Sequence, residues 1–185
     1  VPVLWDKKKA TIVNNESADI IRMLNTAFSD LVISDINMLP DELANDIDAL
    51  NADVYKNLNN GVYQAGFATT QVAYEEAYEQ VFTMLDSLEE RLGDGRQYLF
   101  GEKFTESDIR LFVTLVRFDA AYHGLFKCNR NQIKEMTSLH AYMRRILAID
   151  GIAKTVSMDH IKAGYYSIKA LNPSGIVPVG PYTIW

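Results

Sequence analysis

A chain of 185 residues with 48% apolar and 23% charged side chains has the material for an ordinary globular core. Its net charge of −6 and pI of about 5.0 disfavour a nucleic-acid or anionic-membrane partner, because both require a basic face. No apolar run approaches the roughly 18 residues that cross a bilayer, and no secretory signal pattern is visible. The single cysteine, Cys128, excludes an internal disulfide and makes a reducing, cytoplasmic compartment the expectation. His123, His140 and His160 show no metal-ligand spacing with Cys128, so no metal is expected.

In chain order, residues 1–5 and 11–13 are short, β-branched and apolar, and read as two strands joined by a turn at Lys7-Lys8-Lys9. After Asn15 the period becomes helical, with Ile20, Ile21, Leu24 and Phe28 on one face. Residues 29–40 break that pattern and end in Pro40, as a linker does. Leu43, Ile47, Leu50, Val54 and Leu58 then mark a long amphipathic helix, and Asn59-Asn60-Gly61 marks a helix end or a kink. Val72, Ala77, Val81, Met84, Leu88 and Leu92 mark another helix, closed by Gly93. Thr105-Glu-Ser-Asp108 reads as a capping box ahead of Ile109, Leu111, Phe112, Leu115 and Val116. A helix over 139–147 takes Ser138 as its cap, a short one covers 152–156, and another covers 159–166. The remaining stretch holds three of the five prolines with Ile176, Val177, Ile184 and Trp185, and reads as an extended tail lying on a surface.

Two strands do not form a stable sheet in water. No other strand pattern is convincing, so their partners are expected upstream of Val1. Residue 1 is Val rather than Met, which makes the chain either processed or a piece of something longer. The fold class is mainly α: a partial domain of hairpin and helix over 1–28, a linker over 29–40, a helical bundle over 41–166 and a tail over 167–185.

Two local features can carry ligand chemistry. Pro2 stands at the mouth of a strand, where its bond to Val1 is either trans, as at many strand starts, or cis. Asn15-Glu16-Ser17 stands at a helix start. It is either plain N-capping or an anion site, with Ser17 and free amides for a carboxylate and Glu16 for an ammonium.

Several stretches resemble the glutathionyl-hydroquinone reductases, the Xi class of the glutathione transferases. They are Val1-Pro-Val-Leu-Trp-Asp6, Ile12-Val-Asn-Asn-Glu-Ser17 and Asn59-Asn-Gly-Val-Tyr-Gln-Ala-Gly-Phe-Ala68, with Leu99-Phe-Gly-Glu-Lys-Phe-Thr-Glu-Ser-Asp108 further on. Leu115-Val-Arg-Phe-Asp119, His123-Gly-Leu-Phe-Lys-Cys-Asn129 and Asn172-Pro-Ser-Gly-Ile-Val-Pro178 complete the match. The resemblance implies a glutathione transferase helical bundle preceded by the second half, a β-hairpin and a helix, of a thioredoxin-like domain. It implies glutathione as co-substrate, bound by Val1, Pro2, Glu16 and Ser17. It implies glutathionyl-hydroquinone adducts as substrates, with Tyr63 hydrogen-bonding the phenolic oxygen and Tyr165, Tyr166, Tyr122 and His123 as further contacts. It also implies a homodimer.

The family reaction needs a cysteine in a Cys-Pro motif, which this sequence lacks. The nucleophile is expected upstream, with Cys128 a structural thiol and the chain as given inactive. Gly164-Tyr-Tyr and Ser167-Ile-Lys depart from the family's usual residues there. Two other readings stand beside the reductase: a non-catalytic helical module for dimerisation or ligand binding, and a conjugating transferase that activates glutathione with Ser or Tyr. The Asn-Gly-Val-Tyr run argues against the last.

Overall fold

The computed structural model describes residues 2–31 and 36–182. Val1, Ile184 and Trp185, and with Val1 the geometry of the Val1–Pro2 bond, lie outside the described residues.

The chain opens with an antiparallel hairpin, β1 (Leu4–Asp6) and β2 (Thr11–Asn14), pairing Leu4 with Asn14 and Asp6 with Thr11. The lysine run is its exposed turn. Asp6 Oδ1 accepts the Lys8 and Lys9 amides, each at 2.9 Å, so a side chain closes the turn. Helix α1 (Ser17–Thr26) follows. It buries no residue fully: Ile20 and Ile21 are half-buried, whereas Leu24 is exposed and Phe28 lies beyond the helix end. The four-residue apolar face read from the sequence is therefore only half covered. Among the described residues no third strand joins the hairpin, and a two-stranded ribbon is too small to cover the helix.

The core belongs to the helices. α2 (Ala44–Val54) buries Ile47 and Val54, and α3 (Gly61–Gly66) buries Val62 and Ala65. α4 (Gln71–Leu92) supplies Val81, Phe82, Leu85 and Leu88. α5 (Glu106–Arg117) and α6 (Thr137–Leu147) close around them with Leu111, Leu115, Leu139, Tyr142 and Ile146. α7 (Met158–Tyr166) packs against the end of α5. Val72 is exposed, because the core face of α4 starts one turn later, at Ala77.

Two interruptions are π-helical turns. Tyr55–Asn59 separates α2 from α3, with the Asn60 amide bonded to the Tyr55 carbonyl. Phe118–Tyr122 extends α5, with the His123 amide bonded to the Phe118 carbonyl. The alternative of a kink near Asn59 is the one realised, and its form is one extra residue in a turn.

The capping box at Thr105 forms. Asp108 Oδ2 accepts the Thr105 amide at 2.7 Å, and its Oδ1 accepts the Leu99 amide and the Tyr142 hydroxyl. Gly93 closes α4 as its C-cap, in right-handed helical conformation at φ −71. One other cap differs from expectation: Ser138 does not cap α6, which starts at Thr137. Glu89 reaches across from α4 instead and accepts the free amides of Ser138 and Leu139 at 2.7 and 2.8 Å. A carboxylate at a helix N-terminus gains from both hydrogen bonds and the dipole.

One buried carboxylate ties α1 to the bundle. Glu106, 1% exposed, accepts from Arg22 and Arg110 and from the Asn51 amide at 2.9 Å, while Arg22 also pairs with Asp48. Removing one partner from such a pair leaves a charge buried and costs on the order of 3–5 kcal/mol. The described part of the tail is tied down by hydrogen bonds. Asn172 Nδ2 donates to the carbonyls of Tyr166 and Ile176, and buried Lys162 donates to Val179.

Candidate functional site

The start of α1 and the end of α5 face one another across a cleft of about 570 Å³. Pro2, Ser17, Ala18 and Ile21 form one wall. Tyr63, Tyr122 and Tyr165 form the other, and Tyr55, Asn59, Ile109, Arg110, Val113, Thr114 and Arg117 complete it. At the α1 end it runs into a shallower depression shared with Glu16, and past Tyr165 into one lined by His160 and Gly164.

The Glu16-Ser17 corner is built as a cap. Asn14 Oδ1 accepts the Glu16 amide at 2.7 Å, and Glu16 Oε1 accepts the Ala18 amide and the Ser17 hydroxyl. Both side chains are exposed. The corner thus offers a carboxylate and a hydroxyl side by side at the positive end of a helix, a match for a group that carries an ammonium and a carboxylate on one carbon.

The far wall is a tyrosine triad. The Tyr165 hydroxyl lies 2.7 Å from that of Tyr63 and 2.6 Å from that of Tyr122. The three rings come from α3, the second π turn and α7, and pack around Phe126, which is fully buried. Burial pushes the Tyr122 hydroxyl far above the ordinary phenol range. Tyr165 is pushed up to about 12, again mainly by burial, with the Arg117 charge opposing the rise. Both stay protonated near neutrality and remain hydrogen-bond donors. Tyr63 is the most exposed of the three, 38% accessible.

Tyr166 and His123 fall elsewhere. The Tyr166 hydroxyl abuts Gly124, and His123 follows the π turn close enough to favour the Asp119 carboxylate. Neither lines the cleft. Arg117, Asn59 and Thr114 do line it and were missed. Arg117 lay within the quoted Leu115–Asp119 stretch, but nothing in its spacing says which way the helix turns it. Asn59 is held by the Arg110 carbonyl at 3.1 Å and the Thr114 hydroxyl at 2.6 Å, so it braces α5 against the first π turn.

Cys128 is fully buried, and burial pushes its thiol up to about 12. It is a packing residue, as expected. Among the described residues no group of three or more His, Cys, Asp or Glu could hold a metal ion, and no helix is long and apolar enough to cross a membrane.

Residues 71–145 match the family model described as "Glutathione S-transferase, C-terminal domain". The chain is 52% identical over 182 residues to the protein named glutathionyl-hydroquinone reductase PcpF of Sphingobium chlorophenolicum, covering 98% of this chain and 58% of that protein. It superposes on the glutathione-bound structure of YqjG, a glutathione transferase homolog from Escherichia coli K-12, with a TM-score of 0.96 at 50% identity, covering 99% of this chain and 59% of that one. Glutathione transferase Xi 1 from Trametes versicolor gives a TM-score of 0.96 at 48% identity, covering 100% of this chain and 65% of that one. The chain thus spans about six tenths of the length of the relatives it matches. By sequence and by fold, it is a homologue over nearly its whole length of the Xi-class glutathione transferases and of proteins named glutathionyl-hydroquinone reductases.

Proposed function

We propose that the cleft is the binding site for a glutathionyl-hydroquinone, and that the protein serves the glutathione-dependent reduction of such adducts to hydroquinones. One observation carries this reading. A single cleft joins Pro2 and Ser17, where a glutathionyl group would lie, to the hydroxyls of Tyr63, Tyr122 and Tyr165, where a phenolic ring would lie. The names of the relatives support it.

The γ-glutamyl carboxylate takes the Ser17 hydroxyl and the amides at the start of α1, and its ammonium takes Glu16. The aromatic ring then stacks toward the tyrosine wall, and Tyr63 donates to its phenolic oxygen. In the reaction a thiolate attacks the glutathionyl sulfur. The sulfur–carbon bond breaks as a sulfur–sulfur bond forms, and the ring carbon takes up a proton to give the hydroquinone. A second glutathione reduces the mixed disulfide and leaves as glutathione disulfide, so the two electrons that reach the ring come from that glutathione's thiol and from the glutathionyl sulfur of the adduct. As charge moves onto the ring, the hydrogen-bonded tyrosines stabilise it at oxygen.

The attacking thiol is not Cys128. It is buried, and its raised pKa leaves almost no thiolate near neutrality. The chain as given should therefore bind the adduct without consuming it. The test is to titrate glutathionyl-menadiol into the protein and follow menadiol release with added glutathione. Saturable binding without release is the expected outcome, with binding weakened by Ser17→Ala and by Tyr63→Phe. Turnover by this chain would overturn the exclusion of Cys128, and no binding would overturn the site. A homodimeric state and a cytoplasmic location belong to the same proposal, and sedimentation of the purified chain tests the first.

A further inference from the structure

The charge lining the cleft runs against the charge of the chain. The sequence carries 24 acidic and 18 basic residues. Yet among the described residues the cleft that holds the tyrosine wall is lined by no carboxylate and by two arginines, Arg110 and Arg117, seven residues apart on one face of α5.

The two arginines differ. Arg110 is committed to buried Glu106 through Nη2, although its own Nε is buried without a hydrogen-bond partner. Arg117 is half-buried and forms no ion pair among the described residues. Among the described residues its one hydrogen bond is from Nη1 to the Val113 carbonyl, one turn back on its own helix. Tyr63 and Tyr165 share with it both the main cleft and the depression beyond. A guanidinium with free donors beside an aromatic wall is suited to a planar anion that the ring itself carries.

We propose that Arg117 makes this a site for acidic hydroquinones: it pairs with a carboxylate or similar anionic substituent on the acceptor ring, and selects such rings over neutral ones. The proposal rests on the reading of the cleft as an aromatic acceptor site. A carboxylate could also come from the glycine end of glutathione, and the experiment separates the two sources.

The probes are 2,5-dihydroxybenzoate, its neutral amide 2,5-dihydroxybenzamide, and glutathione alone, each titrated calorimetrically into the protein. The acid should bind about fivefold more tightly than the amide at low salt, the scale of a partly exposed, well-aligned ion pair. Arg117→Gln should erase that preference. Arg117→Lys should retain part of it, and Arg144→Gln, an exposed position outside the cleft, should retain all of it. Equal binding of acid and amide to the unmodified protein overturns the inference but leaves the aromatic site standing. So does a preference that survives Arg117→Gln. Weakening of glutathione rather than of the acid by Arg117→Gln assigns the anion to the tripeptide and overturns it too. Failure of both aromatic probes to bind overturns the reading of the cleft itself.

Discussion

Gly66 links the backbone of α3 to the tyrosine wall, and Gly66→Ala tests that link. A Cβ at this position would lie 2.4 Å from Phe126 Cγ and 2.7 and 2.8 Å from its two Cδ atoms. Ordinary contact starts at 3.4 Å, so the ring or the helix must move by about 1 Å. The ring has nowhere to retreat. It is fully buried, with Tyr63, Tyr122, Tyr165 and Phe67 centred 5.2, 5.3, 5.8 and 5.7 Å away. Overpacking of this kind costs about 1–3 kcal/mol. Replacing glycine by alanine inside a helix returns on the order of 1 kcal/mol. The net loss expected is about 0–2 kcal/mol, or up to roughly 8 °C in Tm for a chain of this size. Calorimetry and urea denaturation measure the loss, and near-ultraviolet circular dichroism should report the displaced tyrosines. The double variant Gly66→Ala with Phe126→Leu should be more stable than the two single losses add up to, because the smaller side chain vacates the space the methyl needs. If Gly66→Ala is as stable as the unmodified protein and its near-ultraviolet spectrum is unchanged, the close approach is not a constraint and the reasoning fails.

Tyr165→Phe should cost more stability than Tyr63→Phe, by about 1–3 kcal/mol, because it leaves the buried Tyr122 hydroxyl unpartnered; chemical denaturation of the two variants ranks them. Cys128 should resist a disulfide-exchange reagent in the folded protein and react fully in denaturant, since its thiol is buried and pushed up to about 12; rapid labelling of the native protein would contradict this. Asp119 is raised above the ordinary carboxylate value, chiefly by burial, although its oxygens accept the Ile133 and Lys134 amides. The folded state therefore takes up the proton at higher pH than the unfolded chain, and the contribution of Asp119 to stability grows as pH falls from above the folded pKa toward the unfolded value near 3.9. Measured against Asp119→Asn, the unmodified protein should gain in relative stability between pH 7 and pH 4, and a constant difference would refute the shift.

Where a signal was short-range, the sequence was readable. The hairpin turn at Asp6–Lys9, the box at Thr105–Asp108 and the face of α4 from Ala77 to Leu92 each follow from contacts within a few residues. The cap on α6 was not readable, because Glu89 reaches it from about 50 residues away and displaces the local candidate, Ser138. Leu24 and Val72 fit an apolar period, yet what covers a face depends on which elements pack there, and periodicity does not encode that.

The site divides along the same line. Sequence alone placed Glu16 and Ser17 at a helix start and Tyr63 in a distinctive run, and the family resemblance made Cys128 a structural thiol. Only the tertiary structure decided that Tyr63, Tyr122 and Tyr165 share one chain of hydroxyls, that Tyr166 and His123 stand apart from it, and that Arg117 faces the same cleft. The reason lies in the two π turns. Each inserts a residue into a helix and rotates everything after it by about 100°, so a strict 3.6-residue count no longer tells which side chains converge. Three rings drawn from positions up to 102 apart in the chain meet at hydrogen-bond distance only because those rotations, and the packing of α3 on α4 and of α7 on the second π turn, bring them there.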